Sequence, residues 1–270
     1  MQSCRIGGLA VGGDAPVRLM GVINCSPESF YSGSYVRPSD VLDCARTFVR
    51  EGAEIIDIGA RSTAPRTPPI SVPTEKERII VALKSLEGTG IRISVDTMHP
   101  SVLEACTRYD IAAVNDISGL ANPAFAANVA DTGLPAICMA TFREPGDAVG
   151  QDETMNALGN VLSRAEQYGI RDVVLDPGIG RWTAARTVSD DWDLCRNFYR
   201  FRELNRPLLA AVSRKTFLGE LLNRQPADRL AGSLAVTYSL LEQGAAMVRA
   251  HDVPETRDII RVYEMMRGVR

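Results

Sequence analysis

Polar and charged side chains follow the apolar segments of this sequence at regular places. The clearest case is Ser213-Arg214-Lys215, which comes directly after the apolar run 208–212. Seven of eight such segments turn polar or charged within a residue or two, and the side chains that could do chemistry are Asn24, Asp96, Asn115, Asp176, Lys215, Arg249 and His251. Brought together, these acids, amides and cations would form a binding pocket whose cations could hold a phosphate group.

Each of these residues also has an ordinary structural explanation when it is taken alone. An Asp or Asn at a strand end is more often a turn former or a helix cap than a catalyst. The basic turn at Lys215 could be solvated surface, and a lone histidine such as His251 is more often structural. The hypothesis of a site therefore depends on whether the fold brings the residues together.

The elements that must position them alternate along the whole chain. Apolar runs predict strands at 19–23, 54–58, 91–95, 112–114, 135–139, 172–175, 208–212 and 246–248. Helical periodicity predicts helices at 39–51, 74–86, 100–108, 123–131, 153–168, 190–203, 229–243 and 254–266. Ser39 and Thr74 are candidate N-caps, Thr74 with Glu77 fits a capping box, and glycines such as Gly133 fit helix ends.

Eight strand–helix units predict an α/β fold in which a parallel sheet closes into a (β/α)8 TIM barrel. A doubly wound open sheet is the alternative, but a GxGxxG motif after the first strand is absent. In a barrel the carboxyl ends of all strands lie on one face, where active sites are built. We therefore expect one domain over residues 1–270, with 1–18 as an N-terminal extension, and one pocket at the barrel mouth.

Composition excludes several classes of protein. The 270 residues carry a net charge of −3 and a pI near 5.6, which does not favour binding to nucleic acid or to an anionic membrane. No apolar stretch approaches the roughly 20 residues that span a bilayer. The six cysteines are scattered without a CxxC pair, which favours reduced thiols in a cytoplasmic protein.

Seven segments resemble, in the same order, the motifs of one enzyme family. They are Met20-Gly21-Val22-Ile23-Asn24-Cys25-Ser26-Pro27-Glu28-Ser29-Phe30, residues 52–59 with Ser62-Thr63, Ser94-Val95-Asp96-Thr97, Asn115-Asp116-Ile117-Ser118-Gly119, Asp176-Pro177-Gly178-Ile179-Gly180, Ser213-Arg214-Lys215 and Arg249-Ala250-His251-Asp252. The family is the dihydropteroate synthases, and the resemblance extends from about Arg18 to Met266. It implies the pterin-binding type of barrel and a transferase that condenses a 6-hydroxymethyl-dihydropterin diphosphate with an arylamine, releasing pyrophosphate.

The resemblance also implies a role for each residue at the pterin. A pterin presents an edge of N–H donors, for which a carboxylate is the natural bidentate acceptor. Asp176 would take that role, Asp96 and Asn115 would complete the pocket, and Lys215 would face the pterin's acceptor atoms.

At the leaving group, the resemblance implies that Asn24 holds Mg²⁺ through its carbonyl oxygen. Thr63, Arg249 and His251 would contact the diphosphate. Magnesium keeps several waters and needs few protein ligands, so one amide suffices. Lys215, Arg249 and His251 are the predicted catalytic residues, and at the departing group neutralising charge is electrostatic catalysis.

The loops depart from the family's pattern on the arylamine side. Ser32 stands where the first loop has an acid, Arg61 and Ala64 replace a Glu and an Arg of the second loop, and Arg181 replaces an aromatic residue. Arg61, Arg66 and Arg181 would add positive charge there. They suggest an arylamine that carries a phosphate, such as that of the methanopterin pathway, although p-aminobenzoate is the simpler substrate.

Two other classes of protein remain open. A pterin-dependent methyltransferase would share the pterin pocket without needing a diphosphate site, and a pterin-binding protein could have lost condensation together with the acid at Ser32. The basic residues Lys215 and Arg249 favour the diphosphate substrate. The resemblance further suggests a homodimer through the last helices.

Overall fold

A parallel barrel forms the body of the protein. The structure, a computed structural model, describes residues 2–28, 35–61 and 69–268. In them, an antiparallel hairpin of β1 (Cys4–Ile6) and β2 (Leu9–Val11) precedes eight parallel strands: β3 (Arg18–Asn24), β4 (Ile55–Gly59), β5 (Ile93–Asp96), β6 (Ala113–Asp116), β7 (Ala136–Met139), β8 (Val173–Asp176), β9 (Leu209–Ala210) and β10 (Met247–Ala250).

The eight strands close on themselves. Their order is β8-β7-β6-β5-β4-β3-β10-β9, and every neighbouring pair is parallel. The two end strands meet through a parallel bridge between Leu175 and Leu208, where the Leu175 N–H donates to the Pro207 carbonyl at 2.9 Å. The predicted (β/α)8 TIM barrel is therefore confirmed.

Helices cover the outside of the barrel. They are α1 (Val41–Arg50), α2 (Val72–Leu86), α3 (Pro100–Cys106), α4 (Pro123–Thr132), α5 (Gly150–Gln167), α6 (Val188–Arg196), α7 (Thr216–Leu222), α8 (Leu230–Glu242) and α9 (Val253–Met266). The strands of the barrel are therefore covered on both faces. In β4, for example, all five residues are buried. None of the helices within the described residues is long and apolar enough to cross a membrane.

The residues predicted to end helices do so, whereas two predicted N-caps are wrong. The predicted end at Gly133 is confirmed, with a left-handed φ of +66°. The predicted cap at Thr74 is wrong, because α2 begins earlier and the Ser71 hydroxyl accepts the Thr74 N–H at 3.2 Å. The predicted cap at Ser39 is also wrong, since this residue lies in a 3-10 turn before α1.

The predicted helix 190–203 is two elements. An α-helix, α6, starts at a capping box of Thr187 and Asp190 and ends at Arg196, and a 3-10 helix follows at Phe198–Leu204. The short helix α7, which follows Lys215, was not among the predicted helices.

The N-terminal hairpin closes the amino end of the barrel. Cys4, Ile6 and Val11 are buried against inward-facing strand residues that include Met20 and Leu209. Two contacts hold the hairpin there: the Arg5 N–H donates to the Asp172 carboxylate at 2.9 Å, and Arg18 Nε donates to the Ala10 carbonyl at 2.8 Å. The sequence predicted no structure for this segment.

Candidate active site

Polar residues line the mouth of the barrel because the strand register places them in one row. Asn24 lies opposite Gly59, Gly59 opposite Asp96, and Asp96 opposite Asn115. On the other side, Asp176 lies opposite Met139 at the end of β8. The carboxyl ends of the parallel strands thus bring together residues that are far apart in sequence.

Arg249 is the centre of the first group of side chains. Its Nε donates to Asp57 Oδ2 at 2.7 Å, and its Nη2 donates to Asp96 Oδ2 at 2.9 Å. Asn115 Nδ2 also donates to Asp57 Oδ2, at 3.0 Å. Three predicted site residues, Asp96, Asn115 and Arg249, therefore form one hydrogen-bonded network around the carboxylate of Asp57. We refer to these four residues as the Arg249 cluster.

Two things determine the pKa values in the Arg249 cluster: the burial of its side chains, and the presence of two carboxyl groups beside one guanidinium. Burial raises the pKa of Asp96 to about 7, with Arg249 opposing the rise and Asp57 adding to it. Burial would lower the pKa of Arg249, but Asp57 and Asp96 raise it above the ordinary value. The arginine therefore remains a cation, while Asp96 can take up a proton near neutral pH.

Asp57 is the member of the Arg249 cluster that was not predicted from the sequence. It lies inside strand β4, between Ile56 and Ile58, and its exposed fraction is 0%. A buried carboxylate in an apolar strand must be paired with a hydrogen-bond donor or a cation. The sequence therefore does carry a signal for Asp57, which lies within a strand and not directly after one.

Asp176 and Lys215 form the second group. The Gly178 N–H donates to Asp176 Oδ1 at 2.7 Å, which fixes the carboxylate. Burial raises the pKa of Asp176, and Lys215 partly opposes the rise; burial lowers the pKa of Lys215, and Asp176 opposes that. Each group thus stabilises the charged form of the other, as expected for an acid and a lysine that face one pocket.

An aromatic ring covers Lys215, although not at the expected position. The family's aromatic residue corresponds to Arg181, but here Trp182 places its ring centroid 4.9 Å from Lys215 Nζ. The Trp182 indole N–H donates to the Gly178 carbonyl at 2.8 Å, so the ring is held in place. Trp182 was not predicted as a site residue. The sequence does show an aromatic residue there, one position after Arg181.

His251 and the Ser213-Arg214-Lys215 turn have separate roles. His251 Nδ1 lies 3.1 Å from the Ser213 hydroxyl. Burial, with the charges of Arg249 and Lys215, lowers the pKa of His251 to about 3, so the imidazole is neutral. Arg214 donates to both oxygens of Asp252, at 2.9 and 2.6 Å, and therefore has a structural role.

The arginines predicted at the arylamine side are paired with acids. Arg61 Nε lies 2.6 Å from Glu75 Oε2, and the other oxygen of this buried glutamate accepts the Thr97 hydroxyl at 2.5 Å. Arg181 Nη1 lies 3.5 Å from Glu220 Oε1 at the surface. These two arginines therefore do not add unpaired positive charge. Thr63 and Arg66, with Ser32 and Ala64, lie outside the described residues.

Asn24, the residue predicted to hold magnesium, is the last residue of β3 at the carboxyl end of the barrel. Its Oδ1 accepts the Ser26 N–H at 2.9 Å, and an amide oxygen is a ligand type that Mg²⁺ accepts. The part of the chain that the structure describes contains no group of three or more His, Cys, Asp or Glu residues suited to a metal. A magnesium ion that keeps most of its waters fits such a site.

Cysteine chemistry does not contribute at this site. All six cysteines are free thiols. Burial raises the pKa of Cys25, which follows Asn24, to about 12. Its thiol is therefore protonated at neutral pH and is a poor nucleophile.

Comparisons with known proteins agree with the barrel fold. A model of the family described as pterin binding enzyme matches residues 20–251. The chain is 34% identical over 257 residues to dihydropteroate synthase of Escherichia coli K12, covering 91% of this chain and 90% of that protein. Xanthomonas albilineans dihydropteroate synthase with 4-aminobenzoic acid superposes with a TM-score of 0.87 at 31% identity, covering 99% of both chains. The Coxiella burnetii enzyme in complex with pteroic acid gives a TM-score of 0.87 at 27% identity, covering 100% of both.

Proposed function

This chain belongs to the dihydropteroate synthase family of pterin-binding enzymes, a family of transferases, and from that premise we propose that it condenses 6-hydroxymethyl-7,8-dihydropterin diphosphate with p-aminobenzoate in folate biosynthesis, releasing pyrophosphate. The observation that carries the proposal is the meeting of the Arg249 cluster with Asp176 and Lys215 at one barrel mouth.

The pterin binds between the two groups. The Asp176 carboxylate accepts N–H donors from the edge of the pterin, and its fixed orientation favours a bidentate contact. Lys215 donates to an acceptor atom of the ring. Asp96 and Asn115 complete the pocket, and because the pKa of Asp96 is about 7, this residue can donate as well as accept a hydrogen bond.

The diphosphate lies on the Arg249 side. Arg249 provides positive charge for the departing oxygen, and neutral His251 donates a hydrogen bond without adding charge. Thr63 is a further proposed contact. Asn24 would hold Mg²⁺, which, when bound, offsets the charge that builds up on the leaving pyrophosphate.

For the second substrate, the pairing of Arg61 with Glu75 and of Arg181 with Glu220 favours p-aminobenzoate. A phosphate-bearing arylamine would need local cations that are not already paired with acids. The structure of the Xanthomonas enzyme, described as containing 4-aminobenzoic acid, supports the same choice.

The experiment is a pyrophosphate-release assay with the pterin diphosphate, Mg²⁺ and either p-aminobenzoate or a phosphate-bearing aminobenzene. Release with p-aminobenzoate, lost in Lys215→Met, is the expected result. Preference for the phosphorylated amine would instead support the methanopterin variant. Tight pterin binding without release with either amine would refute condensation and favour a methyltransferase or a non-condensing binding protein.

We also propose a cytoplasmic homodimer that pairs through the last helices. Leu221 on α7 is 64% exposed, and Met265 and Met266 on α9 are 75% and 73% exposed. An exposed apolar patch is a mark of an interaction surface when its side chains adjoin one another, as Met265 and Met266 do in the sequence. Light scattering should give twice the mass of the chain, and Met265→Glu with Met266→Glu should give the monomer; a monomeric wild type would refute the dimer. Six free thiols agree with the cytoplasm.

A further inference from the structure

A buried ion pair lies behind the pterin pocket. Arg186 is the largest side chain among the fully buried ones, with an exposed fraction of 1%, and its Nε is 3.2 Å from Oδ1 of Asp191, whose exposed fraction is 0%. Replacing such a pair by apolar residues is often neutral or even stabilising, because both charges lose their hydration. A stability role alone therefore explains it poorly.

The hydrogen bonding of the pair is incomplete. Arg186 Nε and Nη2 and Asp191 Oδ2 are buried without a hydrogen-bond partner within the described residues. The remaining carboxylate oxygen, Asp191 Oδ1, accepts the Gly180 N–H at 2.8 Å. The charge of Asp191 is thus balanced mainly by Arg186, at a place where little else can solvate it.

Gly180 connects the pair to the active site. This glycine ends the turn that begins at Asp176, and it has a φ of +138°. A Cβ added to Gly180 would lie 3.1 Å from Lys215 Nζ, so the lysine ammonium rests directly against the backbone that Asp191 holds. Asp191 is therefore a second carboxylate that competes with Asp176 for Lys215.

The charged groups that act on Lys215 come from four elements. Asp176 and Asp191 favour its charged form, whereas Arg249 and Arg186 disfavour it, and burial lowers its pKa overall. Without Arg186, the uncompensated carboxylate of Asp191 would attract the ammonium away from the substrate. The positive charge of Arg186 prevents this by pairing with Asp191.

We propose that Arg186 is a positioning residue that neutralises Asp191 and so keeps the ammonium of Lys215 directed at the substrate beside Asp176. The part of the proposal that concerns substrate rests on the proposed function. The part that concerns Lys215 does not, and it can be measured in the protein alone.

The chain makes this measurement simple, because Lys76, Lys84 and Lys215 are its only lysines. Lysine labelled with ¹³C and ¹⁵N should give three side-chain signals by NMR, with that of Lys215 identified by its absence in Lys215→Met. Lys76 and Lys84, both on α2, serve as internal references. In Arg186→Gln the pKa of Lys215 should rise by about one pH unit or more, since a repelling charge is lost and an attracting one is exposed.

Two further variants should shift the pKa of Lys215 in the opposite direction and restore it, respectively. Asp191→Asn keeps an acceptor for Gly180 but leaves Arg186 unpaired, so it should lower the pKa of Lys215. Arg186→Gln with Asp191→Asn should return it close to the wild-type value. If Arg186→Gln does not fold, the Asp191→Asn shift and the double variant still decide the matter. An unmoved Lys215 titration in the variants that fold would overturn the proposal.

The kinetic consequence is tested separately. Arg186→Gln should raise KM for the pterin diphosphate about tenfold, the loss of one hydrogen bond to a charged group, and the double variant should restore it. Arg200→Gln, at the exposed pair of Arg200 with Asp152 (3.3 Å), is the matched control and should change neither quantity. A wild type that releases no pyrophosphate would refute the proposed function while leaving the lysine titration interpretable. A double variant as impaired as Arg186→Gln would overturn the positioning role.

Discussion

Arginines at the barrel mouth are used in two different ways. In the Arg249 cluster one guanidinium is shared between two carboxylates, and one of them, Asp96, has a pKa close to neutrality. Arg61 and Arg181, which were predicted to act on the arylamine, each face one acid, and both pairs are electrically neutral. An arginine in the sequence therefore does not by itself mean positive potential. Its partner decides whether it can act on a substrate.

The strongest test of this comparison is to remove the shared arginine. Arg249→Met should lower kcat/KM for the pterin diphosphate by about 10²–10³, as expected when a group that stabilises the transition-state charge is lost. Arg249→Lys keeps the charge but cannot hold both carboxylates, and it should recover only part of the rate. Steady-state pyrophosphate release measures both, and a loss below tenfold in Arg249→Met would contradict the assignment.

A second test weakens the support of the shared arginine. Asp57→Asn keeps the size of the side chain but removes the charge that faces Arg249 Nε. We expect a loss of roughly 1.5–3 kcal/mol of stability, the usual contribution of a hydrogen bond to a charged group, and a smaller loss of activity than in Arg249→Met. Urea unfolding and kinetics are the measurements. Asp193→Asn, at the exposed pair with Arg196, is the matched control, and equal effects of the two variants would remove the special status of Asp57.

The third test concerns the two arginines that are each paired with one acid. Arg61→Met leaves Glu75, of which 1% is exposed, without its closest cation, so stability should fall by roughly 1–3 kcal/mol. KM for p-aminobenzoate should stay the same, because the arginine is paired and not available to the amine. Arg181→Met, at the surface pair, should change stability by no more than about 1 kcal/mol. An increased KM in Arg61→Met would place this residue at the substrate after all.

A fourth test uses the pH dependence of stability. Because the pKa of Asp96 is raised in the folded protein, the fold binds the proton more tightly than the unfolded chain does. The contribution of Asp96 to stability is therefore present at low pH and is lost as the pH rises from about 4 to 7. Asp96→Asn does not titrate, so its stability relative to the wild type should increase over that range. Thermal unfolding at a series of pH values checks this, and a relative decrease would mean that pairing with Arg249 dominates.

The sequence predicted the barrel and most of the mouth because both depend on local patterns. Apolar runs mark the strands, and the polar residue after each run must lie at the carboxyl end, which brings Asp96, Asn115 and Arg249 into one network. What it did not predict depends on contacts between distant segments. The partner of Arg61 lies on a helix 14 positions later, and the carboxylate that holds Arg249 is 192 positions away.

The short N-terminal strands were not predicted for a different reason. The strands of the N-terminal hairpin have three residues each, too few for a periodic pattern to stand out. Trp182 was missed because the position of the aromatic residue was carried over from the family, whereas the turn after Gly180 places the next side chain over Lys215.

The hairpin limits how molecules can reach the polar residues. Since Ile6 and Val11 close one end of the barrel, molecules must enter and leave by the opposite end. Under the proposed function, the departing pyrophosphate and the incoming amine would therefore use the same opening. A slowly departing pyrophosphate would delay the next turnover even when the amine is abundant.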